Sequence, residues 1–126
     1  MGLNATNSES TILRSKKVCV WSSDRIIVLR PAQILFARSE EKRQTIVYTK
    51  LGTYHTKASL KELEELLESQ KFFRTHKSYL VNLDKIAEII PWFNNTYVLS
   101  LEDYNEIDIP VTRHYMKQFN SIMGIS

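Results

Sequence analysis

From residue 18 to residue 110 the chain is written in short apolar runs, rich in Val, Ile, Tyr and Thr, and broken every few residues by turn formers. Apolar and polar positions alternating with a period of two predict strands whose side chains face opposite sides of a sheet. β-branched and aromatic residues fit that pleated surface best. The expected strands are Val18 to Trp21, Arg25 to Leu29, Ile34 to Arg38, Gln44 to Lys50, Thr53 to Lys57, Phe73 to His76, Ile86 to Trp92, Thr96 to Leu101 and Glu106 to Pro110. Hairpin connections are expected at Leu51-Gly52, at Asn94-Asn95 and at Asp103 to Asn105, where Gly, Asn and Asp tolerate the backbone of tight turns. The segment from Ile86 to Ile109 then reads as a three-stranded meander.

Two stretches change to a helical period. In "SLKELEELLES" Leu60, Leu63, Leu66 and Leu67 share a face, and Ser59 followed by Glu62 has the spacing of a capping box. In "TRHYMKQFNSIM" Tyr115, Met116, Phe119, Ile122 and Met123 recur at helical spacing after Pro110, and Gly124 supplies a stop. Both stripes are expected to face the core. The fold class is therefore mainly β: antiparallel sheets with two short helices.

Composition narrows the picture further. With 126 residues, 43% of them hydrophobic, the chain suits one domain over residues 15 to 126, after a polar lead-in or linker at residues 1 to 14. Cys19, the single cysteine, excludes an intrachain disulfide and points to a reducing, cytoplasmic setting; between Val18 and Val20 it is expected to be buried. No secretory pattern opens the chain, and no apolar run approaches the roughly 20 residues of a membrane-spanning helix.

The net charge of +3 is small, but its distribution is uneven. Lys42 to Lys61, Ser69 to Leu83 and Ile109 to Ser126 contain no acidic residue and hold five, three and two Lys or Arg respectively. Carboxylates gather at Glu62 to Glu68 and at Glu102 to Asp108. Such polarity favours a polyanionic partner.

The stretch "FFRTHKSYLVN", Phe72 to Asn82, is the least strand-like in its centre, with two cations, a histidine and two hydroxyls between apolar flanks. His76, Ser78 and Asp84 are the residue types of a hydrolytic triad. Ser78 lacks the G-x-S-x-G turn that exposes a nucleophile, however, and His76 on the same short segment is badly placed to approach it. His55, His76 and His114 are too scattered to suggest a metal site. Three glycines leave no nucleotide-cradling loop, so no cofactor and no enzymatic activity are expected. Binding fits better. Lys and Arg neutralise phosphates, and side chains that reach base edges discriminate sequence. The cations fall at loops: Lys42 and Arg43, Lys77 with Ser78, and Arg113 with His114. The competing reading, from a different class, is a β-rich interaction or sensing module whose basic face meets an acidic partner.

"FFRTHKSYLVNLDKIAEI" closely resembles the signature of the LytTR family of DNA-binding domains, a Phe-x-Arg-x-His-x-Ser-x-x-Val-Asn run followed by an Ile-rich strand. It is carried here by Phe72 or Phe73, Arg74, His76, Ser78, Val81, Asn82 and Ile86. The leucine-rich helix before it, "QILFARSEEKRQTIVYT" further upstream and "IPVTRHYMKQF" after it resemble the family's order from Ser15 to Phe119. The resemblance implies an elongated fold of antiparallel sheets whose loops enter successive major grooves. It also implies an output domain of a bacterial response regulator in a two-component system. Such domains bind promoter DNA at paired direct repeats, with a dimer on DNA as one arrangement. A receiver domain of more than about 100 residues has no room in this chain. The positions matching the family's principal base contacts are Arg43, Lys77 and Arg113, with Lys42, Ser78 and His114 beside them. Arg74, His76 and Asn82 are expected to brace the presented loop. Where some members have His and Asn at the first two positions, Arg43 and Lys77 favour guanine or a phosphate over adenine.

Overall fold

A computed structural model describes residues 17–41, 44–68 and 71–126. Among the described residues, ten strands form two antiparallel sheets: β1 Val18–Ser22, β2 Arg25–Leu29, β3 Ile34–Glu40, β4 Gln44–Thr49, β5 Gly52–Thr56, β6 Phe72–His76 and β7 Tyr79–Asn82 in one, and β8 Ile86–Trp92, β9 Thr96–Leu101 and β10 Tyr104–Val111 in the other. The first sheet has the order β2-β1-β5-β4-β3-β7-β6, and the second is the expected meander, β10-β9-β8. Helix α1, Leu60–Leu66, lies between β5 and β6, and helix α2, Arg113–Met123, follows β10.

The larger sheet is the middle layer, and its strands β3, β4 and β7 bury both faces, whereas β1 and β2 at its edge leave one face open. On one side Leu60, Leu63 and Leu67 of the α1 segment pack on Val20, Val47 and Leu80. On the other, Phe36, Tyr48 and Val81 meet Leu99 and Ile109 of the meander and Phe119 of α2. Consecutive residues divide between the two cores, Val47 from Tyr48 and Leu80 from Val81. In β3 the register with β4 shifts between Ile34 and Phe36, so that Leu35 and Phe36 join one core while Ile34 and Ala37 join the other. One extra residue in a ladder produces such a displacement.

The capping box forms: Glu62 N–H donates to Ser59 Oγ (3.0 Å), and Ser59 N–H donates to Glu62 Oε1 (2.8 Å). Those bonds to the Ser59 amide and hydroxyl hold the Glu62 carboxyl below its ordinary pKa. Gly124 ends α2 in the left-handed conformation, φ 72°, that a side chain would strain.

Several expectations need correction. Tyr79–Asn82 is a strand of its own, although Leu80 and Val81 interrupt any alternation because each faces a different core. Cys19 is exposed, since Val18 and Val20 take the inward positions of β1. Ile122, in the expected core stripe of α2, is 55% exposed. The β4–β5 turn is Lys50–Leu51, because Thr49 pairs with Gly52. The last hairpin turns at Glu102–Asp103, because Tyr104 already pairs with Leu101. Residues 1 to 14 lie outside the described residues. Among the described residues, no helix is long and apolar enough to cross a membrane.

Candidate nucleic-acid interface

Strand direction gathers three of the chain's turns at one end. Arg38 of β3 pairs with Tyr79 of β7, and Ser39 N–H donates to the Ser78 carbonyl (3.0 Å), so the end of β3 lies against the β6–β7 turn. Glu40 and Gln44, paired across β3 and β4, close the first strand pair there. Lys42 and Arg43, between them in sequence, lie outside the described residues.

The next connection depends on a bulge. Arg74 pairs with Leu80 and His76 with Tyr79, leaving Thr75 as an extra residue in β6. Its carbonyl is thereby free to accept from the N–H of Thr112 (3.0 Å) and from Thr112 Oγ1 (3.4 Å). Thr112 is the last residue before α2. The chain entering α2 is therefore tied to the flank of the β6–β7 turn, and Arg113 and His114 emerge exposed beside Lys77, also exposed. Lys117 follows Arg113 by four residues, on the same helix face, and is exposed too.

The turn itself is held by side chains. Arg74 reaches around it: Nη2 donates to the Lys77 carbonyl (2.6 Å), Nε to the His76 carbonyl (3.4 Å), and Nη1 meets Glu64 of α1 at 3.2 Å. His76 Nδ1 accepts from the N–H of Ser78 (2.9 Å), which requires a ring unprotonated at that nitrogen. Partial burial, reinforced by the Lys77 and Arg74 cations, holds the His76 pKa below its ordinary value. The unfolded chain therefore takes up a proton before the folded one does. Stability contributed by His76 is complete above about pH 6.5 and is lost as the pH falls from there through the folded value. Thermal melts between pH 7.5 and 5 are expected to show this loss, and His76→Gln, which cannot titrate, to remove that component. An unchanged pH profile in the variant would show that other groups carry it.

Asn82 acts elsewhere. At the far end of β7, its Nδ2 donates to the buried Ile34 carbonyl (2.9 Å) and its Oδ1 accepts from Asp84 N–H (3.0 Å), capping the 3-10 turn Leu83–Lys85. It thus fastens the β7–β8 connection, three residues away from Tyr79, rather than the Lys77 turn. Three residues that the sequence does not single out belong to the candidate end: Thr75 and Thr112, which join two of its segments, and Glu64, which anchors Arg74. No local pattern marks them, because each acts through a partner distant in sequence. Arg38 also lies near this end, paired with Glu40 (3.2 Å) and set over the Tyr48 ring, 5.7 Å from its centroid.

A family model for the LytTr DNA-binding domain matches residues 24–124. The chain belongs to the LytTR family. It is 35% identical over 116 residues to the transcriptional regulatory protein YpdB of Escherichia coli K12, a match covering 92% of this chain and 47% of that protein. It is 42% identical over 110 residues to the sensory transduction protein LytT of Oceanobacillus iheyensis, covering 86% of this chain and 45% of the relative. The chain thus spans about half the length of these regulators. A solved LytTr DNA-binding domain from Bacillus cereus superposes with a TM-score of 0.78 at 29% identity, over 86% of this chain and 96% of that one. The LytTR fold of antiparallel sheets with two helices is the architecture described above.

Proposed function

We propose that this LytTR domain recognises specific double-stranded DNA with the end that carries the β3–β4 connection, the β6–β7 turn and the start of α2. The observation that carries the reading is the pair of ties from Ser39 to Ser78 and from Thr75 to Thr112, which line these segments up in one row. Lys77 and Arg113 are the cations presented to base edges, with Arg43 as the third. Lys42, Ser78 and His114 make accompanying contacts to the backbone. Arg74 and His76 hold the shape of the Lys77 turn. Arg113 gains a further advantage at the start of α2, where free N–H groups and the helix dipole attract phosphate.

In the whole protein this domain serves as the DNA-binding output of a bacterial transcription regulator, and the half-length match to YpdB and LytT supports that reading. Paired direct repeats occupied by two copies, under the control of a receiver domain, complete the proposal.

The test is selection of bound sequences from a random duplex pool, followed by anisotropy titrations on the selected and a scrambled duplex. Arg113→Ala and Lys77→Ala are each expected to cost about 1 to 3 kcal/mol on the selected duplex and less on the scramble. Equal losses on both duplexes, with the salt slope reduced by about one for each, would make the two residues phosphate contacts instead. Unchanged binding on either duplex would place the interface elsewhere.

A further inference from the structure

The β8–β9 turn presents aromatic surface that the packing of the fold leaves unused. Trp92 is 55% and Phe93 69% exposed, their rings 5.9 Å apart, and Asn94 and Asn95 beyond them are exposed as well. The turn is well defined: Asn94 and Asn95 both take the left-handed conformation (φ 60° and 58°), and Thr96 Oγ1 donates to the Phe93 carbonyl at 2.8 Å. Its base is fixed to α2 through Tyr97, whose ring meets Phe119 edge-on at 5.9 Å. Exposed rings on such a tip are placed for a partner.

Register shows where the tip lies. Tyr97 pairs with Pro91 on one side and with Val111 on the other. The turn therefore sits at the same end of the meander as Val111, Thr112 and Arg113. Two strand spacings separate β8 from β10, on the order of 10 Å. Along a duplex that distance is about three base pairs. The charge pattern agrees: Ile89 to Leu101 contains no charged residue, while Glu102 and Asp103 lie at the opposite end of the meander. An uncharged tip can approach phosphates without the repulsion that the other end would meet.

We infer that Trp92 and Phe93 form a further DNA contact, on duplex flanking the segment reached by Arg113. This rests on the reading of the Lys77 and Arg113 end as the DNA-binding end. The chemistry suits it: aromatic rings pack on deoxyribose or wedge between base steps, and the Trp92 indole N–H and the two Asn amides donate to phosphate or minor-groove acceptors. The DNA partner is favoured over a second copy of the chain because the tip continues the row of the proposed DNA contacts.

In a Trp21→Phe background Trp92 is the chain's one remaining tryptophan, so its emission should change on addition of the selected duplex. The double variant Trp92→Ala/Phe93→Ala should bind about tenfold more weakly on a duplex with long flanks, within the range for loss of an aromatic contact. Trimming one flank by about four base pairs should bring the parent protein down to the variant's affinity, while trimming the other flank should not. Melting curves establish that the variant is folded. Loss of affinity that is the same on long and trimmed duplexes, or an unresponsive Trp92, overturns the proposal. A loss confined to duplexes carrying two sites assigns the tip to a second copy and overturns it as well. Arg113→Ala serves as the independent control: it should weaken binding on both the long and trimmed duplexes, and its failure to do so would refute the underlying reading instead.

Discussion

Phe36→Ala should destabilise the domain by about 3 to 5 kcal/mol, the range for truncating a buried aromatic side chain. Phe36 is fully buried in β3 and stacks on Tyr48 with centroids 4.2 Å apart and planes 9° from parallel. It also lies 6.1 Å from the Tyr79 ring and meets Tyr104 of the meander edge-on at 5.7 Å. Tyr104 reaches Tyr48 at the same 5.7 Å separation. Alanine at position 36 leaves a cavity where the two sheets join, and the aromatic geometry adds to the loss of buried area. The consequence reaches function, because the larger sheet carries Lys77 and the meander leads to Arg113. Loosening the joint lets the two cations drift apart, so affinity for the selected duplex should fall even where the protein is still folded. Urea denaturation gives the stability change. A loss below about 0.5 kcal/mol, the size of a surface effect, would show that Phe36 does not join the sheets.

Asn82→Ala should cost about 2 to 4 kcal/mol, since it removes two hydrogen bonds and strands polar partners. The Ile34 carbonyl accepts from Asn82 Nδ2 in a buried site, and Ile34 is 1% exposed, so water has little access to replace the donor. Asn82→Asp keeps an acceptor for the Asp84 N–H but turns an oxygen towards the Ile34 carbonyl, so it should fare no better. Both variants act at the end away from Lys77. Affinity per folded molecule for the selected duplex should therefore stay within about twofold of the parent, less than the tenfold that 1.4 kcal/mol would produce. A specific loss of binding without loss of stability would return Asn82 to the DNA-facing turn.

Local signals in the sequence were enough for elements stabilised by near neighbours. The capping box of α1 is formed by Ser59 and Glu62, three residues apart, and Gly124 ends α2 by its own backbone freedom. The meander is legible because its outer face meets solvent, which keeps the alternation in β9, where Leu99 and Leu101 are buried. β7 lacks that signal. The sheet is covered on both faces where β7 runs, so neighbouring Leu80 and Val81 are both apolar and the period of two disappears. Cys19 and Val20 illustrate the same limit: both are compatible with a strand interior, and only the position of the core selects which one faces it.

The amino-acid sequence by itself determined the strand-rich composition, the two helices and their caps, the stretches that hold cations and no acidic residue, and the LytTR signature around Arg74, His76 and Ser78. Each of these is set by interactions within a few residues or by residue type alone. The tertiary structure decided which turns share an end, which residue of each apolar pair faces which core, and that the bulge at Thr75 frees a carbonyl for Thr112. It also separated Asn82 from the Lys77 turn and set the Trp92–Phe93 tip in line with Arg113. The reason is physical: register shifts and bulges are fixed by packing between segments far apart in the chain, where a displacement of one residue exchanges the faces of a strand.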